Sequence, residues 1–98
     1  MPELYFSVRW PDQSVTECYS PSTVIENYFL VGQRYSMDQF VELSRTALSM
    51  ASERVRGRHG FACSSASDQF REIEYHAQQF NCLDDAHVVV EKFRRRGA

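Results

Sequence analysis

LYFSVRWPDQSVTECYS, Leu4 to Ser20, is the stretch on which the fold turns. Leu4, Phe6, Val8 and Trp10 alternate with Tyr5, Ser7 and Arg9, the period of two expected of a strand with one face in a core. Pro11-Asp12 supplies turn chemistry, because proline presets φ and an aspartate side chain bonds back to the turn. Val15 to Tyr19 then returns as a second strand, closed by Ser20-Pro21. Two registers are open. A three-residue loop, Pro11 to Gln13, pairs Trp10 with Ser14, sets Tyr5 opposite Tyr19 and sends Thr16 and Cys18 to the core face. A two-residue loop, Asp12-Gln13, sends Val15, Glu17 and Tyr19 there instead. The first is favoured because it keeps Glu17 in water. Gln13 is its weak point, since the bulge position favours glycine.

Outward from the hairpin, Ser20 and Pro21 are the cap and first residue expected of a short helix reaching about Tyr28. Ser36 with Gln39 forms a capping box. The helix behind it carries Phe40, Leu43, Ala47, Met50, Ala51 and Val55 on one side, and Gly57 and Gly60 close it. Ser64 or Ser65 caps a second helix with the stripe Ala66, Phe70, Ile73, Ala77 and Phe80. Asn81 to Asp85 reads as a polar turn. His87 to Phe93 is a β-branched run, hence a third strand, followed by a basic tail, residues 94–98, expected to be flexible. The expectation is a single α+β domain over residues 1–98. It has two layers: a small three-stranded sheet, made of the N-terminal hairpin plus the C-terminal strand, with helices packed on one face.

Composition narrows the function classes. With 98 residues, 43% of them apolar, and a formal charge of −2, the chain has the makings of one folded core. It lacks the basic field that draws nucleic acid. No early run is apolar enough for a signal peptide or a membrane span, so the expected location is the cytoplasm. Three widely spaced cysteines, Cys18, Cys63 and Cys82, read there as free thiols.

One stretch carries candidate chemistry, ASERVRGRHGFACSSA, Ala51 to Ala66. Cys63 stands just outside a helix start, where unpaired N–H groups and the macrodipole favour a thiolate. Arg54, Arg56, Arg58 and His59 lie just upstream, and His59 or His76 would serve as a base. Together Arg54, Arg56, His59 and Cys63 form a candidate site for a small anion or for thiol chemistry. Against this, free cysteine usually fills a gap in packing, and arginines near a helix C-terminus offset its dipole. A zinc site built from the three cysteines and a histidine is disfavoured, because structural zinc ligands come in close pairs. The second helix carries Asp68, Glu72 and Glu74 against Arg71 alone, which DNA would repel. No glycine-rich phosphate loop, paired catalytic carboxylates or nucleophile elbow is present. The expectation is therefore no metal, no cofactor and no catalytic residues.

The favoured register leaves Tyr5, Val15 and Tyr19 on the outer side of the sheet, joined by Val89 from the third strand. Rigid tyrosines beside valines are the kind of surface that carries binding energy. This points to a protein interface: a homodimer, or a docked enzyme.

Three segments together, VRWPDQ (Val8 to Gln13), CYSPSTVI (Cys18 to Ile25) and ASERVRGRHGFACSSASDQ (Ala51 to Gln69), resemble a family of small bacterial nitrogen-starvation response proteins. That family is encoded in gene clusters with a nitrilase, a radical-SAM-like protein, an N-acetyltransferase-like protein and a flavoprotein. The family's usual turn is Pro-Asp-Gly, from which Gln13 departs. The resemblance implies a cytoplasmic accessory role in nitrogen or nitrile metabolism and transfers no catalytic residues. The alternative it leaves open is a thiol-dependent enzyme or anion-binding protein centred on Cys63 and the Arg54–His59 turn.

Overall fold

The hairpin closes on the three-residue loop. In the computed structural model, which describes residues 3–59, 64–80 and 86–95, Trp10 N–H donates to the Ser14 carbonyl at 2.9 Å and Gln13 N–H to the Trp10 carbonyl at 2.8 Å. Gln13 takes the left-handed conformation, φ 73°, that this loop demands of its last residue. Asp12 secures the turn by accepting both the Ser14 N–H (2.9 Å) and the Ser14 hydroxyl (2.6 Å). These bonds, the hydroxyl's foremost, hold the Asp12 carboxyl below its ordinary pKa. Strands β1 (Leu4–Arg9) and β2 (Val15–Ser20) pair in the favoured register, Tyr5 opposite Tyr19 and Phe6 opposite Cys18. Leu4, Phe6, Val8, Trp10 and Cys18 are buried on the core side.

The sheet has four strands, not three. Between β2 and the first long helix the chain forms β3 (Arg34–Ser36), which pairs antiparallel with β4 (His87–Arg95). The order across the sheet is β2-β1-β4-β3. A three-residue strand shows no alternation to read, and Ser36 doubles as a helix cap, so the segment is silent in sequence. Its one inward residue, Tyr35, is buried, and its hydroxyl accepts the Leu30 N–H at 2.8 Å. Gly32, at φ 86°, turns the chain into β3 and donates its N–H to the Val90 carbonyl at 2.9 Å. The left-handed φ is why glycine stands here. β4 continues two residues past Phe93, to Arg95.

The helix expected from Ser20 is instead a single 3-10 turn, Thr23–Asn27. Ser22 is its cap and accepts the Val24 N–H, while the Ser20 hydroxyl is spent on the Ser22 carbonyl. That turn drops Val24 and Ile25 into the core.

Helix α1 (Met37–His59) starts at the capping box. Ser36 Oγ accepts the Gln39 N–H, and Gln39 Oε1 accepts the Ser36 N–H, both at 3.2 Å. Helix α2 (Ser64–Gln78) packs against α1, and both lie on the Leu4/Phe6/Val8/Trp10 side. The inward stripe of α1 includes Phe40, Ser44, Ala47, Leu48 and Ala51, whereas Met50 is 42% exposed. Because α1 meets α2 as well as the sheet, its buried face is turned toward Leu48 and away from Met50. Trp10 lies at the heart of the aromatic core. It is edge-on to Phe40 (5.6 Å) and stacked on His76 (5.3 Å) and Phe80 (6.0 Å), and its Nε1–H donates to Thr16 Oγ1 at 3.1 Å. Buried aromatics of this kind typically cost about 3–5 kcal/mol to truncate.

The uncovered face of the sheet

The helices occupy one side of the sheet and leave the other to side chains of the strands themselves. An antiparallel sheet tolerates this when the open side is polar. On that side Tyr19, Tyr5 and Arg94 stand in one row across β2, β1 and β4. The two tyrosine rings meet edge to face at 5.7 Å, and the Arg94 guanidinium lies over the Tyr5 ring at 4.7 Å. Arg94 also reaches Glu17 at 3.0 Å, so one cation ties β4 to β1 and, across it, to β2. The next row is Glu17, Ser7 and Lys92. In the third, Arg9 sits between Val15 and Val89 and pairs with Glu91, which lies at the irregularity between β1 and β4. Val15 is 51% exposed, while Tyr5, Tyr19 and Val89 are half-buried among these neighbours. The four residues expected on this face, Tyr5, Val15, Tyr19 and Val89, are all there. Cations and carboxylates from distant segments organise them. Glu17 and Arg94 are 77 residues apart and meet only through β1, so no local pattern signals them.

The thiol-and-arginine stretch falls partly outside the described residues. Cys63 lies outside them, as do the side chains of Arg58 and His59. Arg54 and Arg56 are exposed on α1, with Arg56 3.7 Å from Glu53. Cys18, the described cysteine, is a core residue. Burial, then the charges of Glu72 and Glu17, push its thiol up to about 12, the reverse of an activated thiolate. His76 is committed to Trp10. Among the described residues no group of three His, Cys, Asp or Glu side chains is placed to hold a metal ion. No helix among them is long and apolar enough to cross a membrane.

Two clefts open between the helices. One of about 370 Å³ is lined by Arg45, Ser49, Ser67, Phe70 and Arg71 among others. Arg45 is already occupied there, bonded to Glu42 at 2.8 Å, near Glu74 at 3.6 Å and stacked on Phe70 at 5.2 Å. The second, about 410 Å³, has Met37, Val41 and Ala77 in its wall. Neither Arg54 nor Arg56 lines either one.

No curated protein and no solved structure matches the chain. A family model does, over residues 5–93, a span that holds the hairpin strands except Leu4, both helices and most of β4. The chain belongs to the nitrogen starvation-induced protein NitG family.

Proposed function

We propose that this nitrogen starvation-induced protein is a non-catalytic accessory protein that binds a protein partner through the uncovered sheet face. The observation that carries this reading is the Tyr19–Tyr5–Arg94 row, held rigid by ring contacts and by Glu17. Tyrosine and arginine are enriched where interfaces concentrate their binding energy. Side chains already held in place lose little freedom on docking. The partner class suggested by the family's gene neighbourhood is an enzyme encoded beside it, a nitrilase among the candidates, acting with it in the cytoplasm.

The test is capture from nitrogen-starved cells with the tagged protein, followed by identification of what binds. An enzyme of that neighbourhood should be retained by the wild type and by a Met50→Ser control on the helix layer. It should be lost when Tyr5 and Tyr19 are both changed to serine. Retention unchanged in the double variant, or no capture at all, would remove the reading.

A further inference from the structure

β2 is an edge strand, and the phase of its hydrogen bonds can be fixed. The Trp10 N–H points to Ser14, so by the alternation of an antiparallel pair the main-chain groups of Thr16, Cys18 and Ser20 face β1. Those of Val15, Glu17 and Tyr19 face away from the sheet. The bond from Tyr19 N–H to Gln69 Oε1 of α2, 2.9 Å, confirms that phase, since it is made from outside. It also consumes the outward donor at one end of the strand. Among the described residues, Val15 and Glu17 are left as the open part of the edge, flanked by a half-exposed valine side chain. Such an edge is a template for another strand.

We propose that a second copy of this chain adds to β2 about a two-fold axis at Thr16, joining the two sheets into one. This surface is the edge of the sheet and goes beyond the face reading above. The antiparallel register that places Val15 opposite Glu17 of the other copy uses both open residues reciprocally. It sets Thr16 against its own counterpart, a favourable cross-strand pair. Shifting one way opposes the two Glu17 carboxylates and requires the Tyr19 N–H that Gln69 has taken. Shifting the other way runs the partner strand into its own turn at Gln13. Gln69 therefore stands where the incoming strand has already turned back, and it selects the register. A contact made chiefly of ladder bonds buries little area, so the dimer is weak and concentration-dependent.

Sedimentation of the full chain over a concentration series, with amide hydrogen exchange on the same samples, tests this. The wild type should pass from monomer to dimer, and the Val15 and Glu17 amides should become protected as it does. Glu17→Pro removes an outward N–H that the monomer's own ladder does not use, and should weaken the dimer at least about tenfold. The Tyr5→Ser, Tyr19→Ser variant should leave the dimer intact, which separates this edge from the face proposed for the partner. A wild type that stays monomeric to millimolar concentration would overturn the proposal. So would a dimer whose Val15 and Glu17 amides exchange as fast as in the monomer.

Discussion

Gln69 Oε1 accepts the main-chain N–H of Tyr19 at 2.9 Å, a bond that spans 50 residues of sequence and ties α2 to the rim of the sheet. Gln69 is itself buried, a costly place for an amide unless it is bonded. The bond secures the edge strand from the side where β1 cannot reach it.

Gln69→Ala should accordingly lower stability by about 1–2 kcal/mol, the range for losing a partner of a buried polar group. Urea unfolding followed by the fluorescence of Trp10, the single tryptophan, measures this. The Tyr19 amide should exchange faster in the variant, whereas the amides of Thr16 and Cys18, bonded inward, should not. A uniform acceleration across β2 would mean that the strand is held by something other than this side chain.

Gln13 holds a φ of 73°, a conformation that costs a residue with a Cβ about 1–2 kcal/mol. Gln13→Gly should therefore stabilise the protein. The net gain is about 0.5–1 kcal/mol, because glycine also loses more freedom on folding. Gln13→Val, a β-branched residue at the same φ, should destabilise it. The order glycine, glutamine, valine in urea midpoint is the outcome to check. No difference among the three would mean that the turn relaxes to another form.

Ser44 is fully buried on α1, and among the described residues its hydroxyl has no hydrogen-bond partner. A hydroxyl left dry costs more than the methyl that would replace it, and alanine is the better helix former. Ser44→Ala should raise stability by about 1 kcal/mol. A drop instead would reveal a bond that Ser44 makes in solution.

The hairpin could be read residue by residue because everything that decides it is local: the alternation from Leu4 to Trp10, the Pro-Asp turn, the wish to keep Glu17 wet. The cap at Ser36 and Gln39 and the inward stripe of α2 were legible for the same reason. What escaped depends on contacts between distant segments. Arg34–Ser36 becomes a strand only because β4 arrives beside it some fifty residues later. Leu48 displaces Met50 from the core because α1 has two neighbours and the sequence displays only one stripe. The face was half legible: the tyrosines follow from register, but Arg94 reaches Glu17 across an intervening strand. Gln69 looked like any polar helix residue until the edge of β2 stood next to it.

Cys18 gives a pH dependence whose sign can be worked out. Its thiol is pushed from an ordinary 9.0 to about 12, first by burial and then by Glu72 and Glu17. The native state therefore keeps a proton that the unfolded chain releases. Stability from this group is full below about pH 9 and falls as the pH climbs toward 12, because the unfolded state then gains by ionising. Urea midpoints measured at intervals from pH 7 to the alkaline limit should decline in the wild type above pH 9. Cys18→Ala should be less stable at pH 7 through the lost packing, yet show a shallower alkaline decline, with Cys63 and Cys82 contributing equally to both. Iodoacetamide should likewise leave Cys18 unmodified in the native protein and modify it once urea is added. Parallel pH profiles for the two proteins, or rapid native alkylation of Cys18, would mean that the thiol opposite Phe6 is open to solvent.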